Sequence, residues 1–242
     1  MKLIINENEQ LVAQTVTQRI IELVKEKPAS LICIAGGDTP LLTIEALIKA
    51  NQTGEVDFSE TQFVGLDEWV GLGRETKGSC IQTLYDAFFD RLKNVSSEQI
   101  CFFDGKATSL TDECARVDKF IDDRGGMDFI LLGIGLNGHI GFNEPFVPVD
   151  VNCHVVELDD VTKRVMSKYF DTDLPLTHGI SLGMQQILAA KEIYLVATGE
   201  KKIDIVKQVV EKEPTVAIPA TLVKDSNTTL VVDKIAASGV EA

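Results

Sequence analysis

The chain has 242 residues, 45% of them apolar, which is ample for the core of one globular domain and too apolar for a disordered chain. Against 37 acidic side chains stand 23 basic ones, a formal charge of −14 that repels nucleic acid and anionic membranes. An anionic ligand must therefore be held by local donors: backbone N–H groups, helix N-termini and a few cations.

Five cysteines, Cys33, Cys80, Cys101, Cys114 and Cys153, form an odd set without a Cys-x-x-Cys pair. They read as reduced thiols of a cytoplasmic protein, not as a disulfide framework or a zinc site. The opening apolar run turns polar at Asn6-Glu7-Asn8-Glu9-Gln10, so no signal peptide is expected. No apolar stretch is long enough to cross a bilayer.

In chain order, Leu3 to Ile5 reads as a short strand. Residues Asn8 to Glu26 carry Leu11, Val12, Val16, Ile20, Leu23 and Val24 at helical spacing, a helix with one buried face. Leu31 to Ala35 is a strand, followed by the turn Gly36-Gly37-Asp38-Thr39-Pro40 and a helix from about Leu41 to Lys49. Thr39 or Asp38 is the expected cap. The free N–H groups and positive end of that helix suit a phosphate, although the Asp38 carboxylate would repel one unless turned away. A capped helix after an ordinary turn is the plain alternative, and the Walker lysine pattern is absent.

Gln62 to Leu66 is a strand running into Asp67-Glu68-Trp69, two carboxylates at a strand end beside the only tryptophan. Neighbouring side chains on a strand face opposite ways, so one of the pair is expected to enter a site. Which one stays open, and a solvated acidic turn is the alternative. Gly78 to Leu92 and Thr111 to Asp123 are helices flanking a short strand, Ile100 to Phe103.

The segment 127–145 organises the rest. Phe129-Ile130-Leu131-Leu132, bounded by Gly126 and Gly133, reads as a buried strand central in a parallel sheet. The loop after it holds Gly133, Gly135 and Gly138, with Asn137, His139, Asn143 and Glu144 among them. Open α/β sheets bind ligands at that edge.

Val155 to Leu158 is a strand. The polar stretch after it carries Thr162, Lys163, Arg164 and Lys168, then a loop from Asp171 to Pro175. A helix is expected to start at Thr177 or Ser181 and reach Ala190. Residues 159–182 are the expected lid. Ile193 to Ala197 and Thr228 to Val232 are strands, and between them Gly199 leads into a helix with Lys201 and Lys202 in its first turn. Cations are unfavourable there unless an anionic ligand is present. The alternation predicts one α/β domain over residues 1–242: a doubly wound, mostly parallel, Rossmann-like sheet flanked by helices.

Three motifs carry a family resemblance. They are Gly36-Gly37-Asp38-Thr39-Pro40, Leu66-Asp67-Glu68-Trp69-Val70-Gly71-Leu72 and Gly133-Ile134-Gly135-Leu136-Asn137-Gly138-His139-Ile140-Gly141-Phe142-Asn143-Glu144-Pro145. In their order and spacing the chain resembles the glucosamine-6-phosphate deaminases, also called isomerases, over nearly its whole length. The related 6-phosphogluconolactonases share the first turn and the Gly-His pair but typically lack the Asn-Glu-Pro ending.

The resemblance implies an amino-sugar catabolic enzyme that needs no metal or organic cofactor. It gives His139 the proton transfers of ring opening, with Asn137 and Glu144 orienting it. It gives Asp67 the proton moved from C2 to C1, with Glu68 a neighbour. The phosphate would sit on Gly36, Gly37, Asp38 and Thr39 with Lys202, and on Lys163 where the family usually places an arginine. Other departures are Asn137 for a frequent aspartate, Asp38 for a smaller residue, Trp69 for tyrosine, and the run Gly78-Ser79-Cys80. Asn152-Cys153-His154 lacks the basic residues of allosteric hexamers, which implies a shorter, non-allosteric form, a monomer or small homo-oligomer. Galactosamine 6-phosphate is the alternative substrate. A lactonase in which His139 activates water and a catalytically silent sugar-phosphate sensor are the other readings.

Overall fold

The computed structural model describes residues 1–170, Leu174 and residues 176–240. Seven parallel strands form the main sheet: β1 (Lys2–Asn6), β2 (Leu31–Ile34), β3 (Gln62–Gly65), β5 (Ile100–Cys101), β6 (Phe129–Gly133), β9 (Ile193–Ala197) and β10 (Thr228–Asp233). Their order is β1-β10-β9-β6-β2-β3-β5. The apolar run at Phe129 is thus the middle strand, as its unbroken hydrophobicity requires.

Alternate residues of each strand feed two cores. Leu31, Cys33, Ile130 and Leu132 face one side, where they meet α4 (Leu110–Asp122), α6 (Met184–Leu188) and α7 (Ile203–Glu211). Ile32, Ile34, Phe129 and Leu131 face the other, against α1 (Glu9–Glu26), α2 (Leu41–Thr53) and α3 (Cys80–Ala87). Helices therefore cover both faces, and the doubly wound reading holds. Asn8 caps α1 by accepting the Leu11 N–H at 3.0 Å, while Gly54 ends α2 in a left-handed conformation (φ 80°).

A second sheet is antiparallel and was not foreseen. It has the order β4-β8-β7, with β4 (Asp67–Trp69), β7 (His154–Glu157) and β8 (His178–Ser181). The helix expected from Thr177 or Ser181 is therefore a strand, and helix begins only at Met184. The reason lies in contacts with distant segments: Gly179 packs so close to the Phe142 ring that a Cβ there would stand 2.2 Å from it, and the strand pairs on both sides. The end of the stretch expected to be a lid is thus the middle of a small sheet. Its other part, α5 (Asp160–Met166) and a 3-10 turn (Ser167–Tyr169), lies over the sheet edge. Most of the loop expected from Asp171 to Pro175 lies outside the described residues. Among the described residues no helix is long and apolar enough to cross a membrane.

The chain winds outward from β2 to β5, then from β6 to β10 in the other direction. The reversal falls between β2 and β6. Their carboxyl ends diverge into separate loops there, which is where open α/β sheets take ligands.

Candidate active site

A cleft of about 850 Å³ opens at this switch point, a size suited to a small metabolite. Its lining combines Gly36 to Thr39 after β2, Asp67 of β4, Gly133 to Leu136 and His139 after β6, Lys202 before α7, and the segment over the edge.

The two glycine loops are in contact. Gly133 has no side chain where a Cβ would stand 3.1 Å from Thr39 Oγ1. Gly37 takes φ 82°, and the Tyr169 hydroxyl approaches it. The amino end of α2 carries no side-chain cap; its N-cap is Pro40, whose carbonyl accepts the Ile44 N–H at 2.8 Å. Asp38 and Thr39 do not cap it, contrary to expectation. The Asp38 carboxylate instead turns to Lys168, at 2.5 Å.

Lys202 is the half-buried cation of this corner. Its ammonium donates to the Ile134 carbonyl, and burial, then Lys168, push its pKa below the ordinary lysine value. The lysines do not sit in the first turn of α7 as expected. Glu200–Lys202 is a separate 3-10 turn, and the first helical turn carries Asp204. Lys202 is the N-cap residue of α7, so one cation still stands at the positive end of the helix, where an anionic ligand would offset it.

Lys163 is a correction. It pairs with Asp160 at 3.2 Å and does not line the cleft. The turn of α5 brings Val161, Thr162 and Arg164 to the lining, followed by Lys168 and Tyr169. Arg164 lies on α5 and Lys168 on the 3-10 turn after it, so helical spacing in the sequence does not single them out from Lys163.

At the opposite side, β4 resolves the two acids. Asp67 faces the cleft, while Glu68 faces inward and is fully buried. Glu68 accepts N–H bonds from Trp69 (2.8 Å), Cys80 (3.0 Å) and Ile81 (2.8 Å). It satisfies the open amino end of α3, a structural task. Asp67 is 9% exposed, and burial lifts its carboxyl up to about 7, against the opposing hydrogen bond from the Cys80 thiol. Gly141 permits this packing: a Cβ there would stand 3.3 Å from Asp67 Oδ2.

His139 lies over Gly135, where a Cβ would come within 2.3 Å of the ring. Its tautomer follows from its partners. The His139 backbone N–H can only donate, so the atom it meets at 3.2 Å is the Asn137 oxygen. The same oxygen lies 2.7 Å from Nδ1, which therefore carries the proton. The Asn137 amide nitrogen then donates to Glu144 Oε2 at 2.9 Å. Nε2 is left as the basic nitrogen. Burial is the largest influence on the ring and lowers its pKa, opposed by Glu144. Asn137 and Glu144 stand behind the imidazole and outside the cleft lining.

Thr162 was missed as a partner: its hydroxyl is 3.1 Å from Nδ1. The sequence contains no local signal for this contact across 23 residues. Asn143 is fully buried and donates to the Ile140 and Leu182 carbonyls, which fixes the loop. Among the described residues no group of three or more His, Cys, Asp or Glu is placed to hold a metal ion.

The chain matches the family described as glucosamine-6-phosphate isomerases/6-phosphogluconolactonase over residues 6–232. It is 38% identical to a glucosamine-6-phosphate deaminase of Shouchella clausii, covering 98% of this chain and 97% of that one. It is 34% identical to the glucosamine-6-phosphate deaminase of Thermoanaerobacter sp. (strain X514), covering 98% and 94%. Among solved structures, a monomeric glucosamine-6-phosphate deaminase superposes with a TM-score of 0.94 at 32% identity, over 99% of this chain and 100% of that one. The 6-phosphogluconolactonase of Thermotoga maritima shares the fold, with a TM-score of 0.74 at 17% identity over 96% and 97%.

Proposed function

Since the chain belongs to the family of glucosamine-6-phosphate isomerases and 6-phosphogluconolactonases, we propose that it is a glucosamine-6-phosphate deaminase. It converts glucosamine 6-phosphate and water to fructose 6-phosphate and ammonium. One observation carries the reading: a carboxyl raised to about 7 and an imidazole of settled tautomer share one cleft. The carboxyl is suited to exchange a proton near neutral pH, and burial keeps the imidazole neutral with Nε2 free to accept one.

In this reading the sugar phosphate lies on the loop of Gly36, Gly37, Asp38 and Thr39, with Lys202, Lys168 and Arg164 around it. Neutral His139 takes the proton of the C1 hydroxyl on Nε2 and gives it to the ring oxygen, and the pyranose opens. Ionised Asp67 removes the C2 proton. The electron pair forms the C1–C2 double bond, the carbonyl pair moves onto O1, and a proton passes from the C2 ammonium to O1, giving the enolamine. Asp67 returns the proton to C1, leaving an iminium at C2. Water adds there, the C–N bond breaks, ammonium leaves, and the ketone of fructose 6-phosphate remains. Asn137 and Glu144 hold His139 through both proton transfers.

Lactone hydrolysis moves no proton at carbon and would leave Asp67 without a task, which favours the deaminase over the lactonase. The segment 160–170 acts as a lid. A cytoplasmic monomer fits the free thiols, four of them buried, and the likeness to a monomeric relative.

The test offers purified protein glucosamine 6-phosphate, galactosamine 6-phosphate and 6-phosphogluconolactone, with ammonium, ketose phosphate and acid as readouts. Stoichiometric ammonium from the gluco epimer is expected. Ammonium from the galacto epimer alone would reassign the substrate. Acid from the lactone without ammonium would overturn the reaction class.

A further inference from the structure

We infer that Asp38 is an internal anion that competes with the substrate's phosphate for Lys168 and so sets how tightly and how selectively the cleft takes a phosphate. The inference rests on the placement of the phosphate at the Gly36–Thr39 loop.

Three observations carry it. First, the Asp38 carboxylate has no local task. The N-cap of α2 is Pro40, and no side chain caps that helix. Second, its partner comes from 130 residues away: Lys168 Nζ lies 2.5 Å from Asp38 Oδ2. The two side chains are 62% and 52% exposed, so the pair is weak and open to exchange. Third, the turn carrying Lys168 rests on the same loop. The Tyr169 hydroxyl stands 3.4 Å from where a Gly37 Cβ would be, and Lys168 Nζ is 4.7 Å above the Tyr169 ring centre. The cation is therefore held at the mouth of the phosphate corner, next to Lys202.

The charges explain the selectivity. Lys168 disfavours the charge on Lys202, and Asp38 favours it. Asp38 thus neutralises part of a two-lysine cluster with one negative charge. A phosphate monoester carries nearly two charges and three acceptor oxygens near neutral pH. It can bind both lysines and outcompete one carboxylate. A monoanion carries no more charge than Asp38 and gains little by replacing it. The corner therefore favours phosphates over sulfonates and carboxylates.

The experiment uses the full chain, Asp38→Asn, Lys168→Gln and the double variant, each checked by thermal melting. Binding of inorganic phosphate and of methanesulfonate is measured by calorimetry, and KM for glucosamine 6-phosphate by ammonium release. Asp38→Asn is expected to tighten phosphate binding about fivefold, the scale of an exposed ion pair, and to lower KM by a similar factor. The relative gain for methanesulfonate is expected to be larger. In the Lys168→Gln background the same substitution is expected to change phosphate affinity little. Weaker phosphate binding in Asp38→Asn would overturn the inference and make Asp38 a positioning residue for Lys168. So would an unchanged affinity, or an equal gain without Lys168. Failure of the deaminase reading would show separately, as no ammonium from the wild-type chain, while the calorimetric results would still decide the competition.

Discussion

The Asn137 side-chain oxygen stands 2.7 Å from His139 Nδ1 and 3.2 Å from the His139 backbone nitrogen. One acceptor thus holds the ring and the chain together, and the amide nitrogen of the same residue rests on Glu144. The relay is a neutral amide between imidazole and carboxylate, so the ring feels the Glu144 charge at 3.7 Å. Asn137→Asp puts a charge in direct contact with Nδ1–H. It is expected to raise the imidazole pKa and shift the part of the pH–rate profile that reports His139 to higher pH. Asn137→Leu removes the acceptor and is expected to lower kcat by about 100-fold, within the range for misplaced acid–base groups. An unmoved profile in Asn137→Asp would remove Asn137 from the relay.

Asp67 gives two pH effects of defined sign. Its carboxyl rises from 3.8 to about 7 in the folded chain because it is buried. Proton removal needs the ionised form, so kcat/KM is expected to fall tenfold per unit below pH about 7. Asp67→Asn is expected to abolish turnover while retaining phosphate binding.

The same burial costs stability. A carboxyl with a raised folded pKa binds its proton more tightly folded than unfolded, so stability declines as pH rises between the two values, from about 4 to about 7. Asp67→Asn removes that loss. Its stabilisation relative to the wild type is expected to be absent at acid pH and to grow to the order of 2–4 kcal/mol above pH 7. Melting curves at pH 5 and pH 8 measure it. Equal melting shifts at both would show that the carboxylate is well solvated.

Glu68 and Asp67 are adjacent and face opposite ways, Asp67 to the cleft and Glu68 inward. Glu68 accepts three backbone N–H groups with two oxygens. A glutamine there offers one oxygen and turns an NH₂ against an N–H. Glu68→Gln is expected to lower stability by about 2–3 kcal/mol through unsatisfied donors. Chemical denaturation reads this directly.

Gly135 allows the His139 ring to lie flat on the loop. An added Cβ would come within 2.3 Å of two ring atoms and 2.5 Å of a third. Gly135→Ala is therefore expected to swing the imidazole away and lower kcat by at least about 100-fold, as a misplacement of about 1 Å does. Near-wild-type kcat would mean the ring position is unimportant to rate.

Closure over the site has its own measurement. Backbone hydrogen exchange in residues 160–170 is expected to slow when inorganic phosphate or a sugar-phosphate analogue is added. Unchanged exchange there would leave the segment a fixed wall.

The sequence by itself determined the doubly wound layout and the two loops at the switch point. Unbroken apolar runs such as Phe129 to Leu132 mark strands buried on both faces, and Gly37 and Gly138 mark turns at positive φ (82° and 85°). It also contained the hydrogen-bonded cluster after β6, because Asn137, His139 and Glu144 lie within one loop and meet through local contacts. The remaining features depended on contacts between distant segments. Short stretches such as His178 to Ser181 take their conformation from the strands they pair with, and β8 exists because β4 and β7 flank it. Strand alternation left Asp67 and Glu68 open and the resemblance chose Asp67; the physical difference between them comes from the partners of β4 and from α3, which places its amino end on Glu68. Lys163, Arg164 and Lys168 look alike as charges in sequence. Tertiary placement decided among them: α5 turns Arg164 to the cleft and Lys163 away from it, and the 3-10 turn that follows brings Lys168 to the lining.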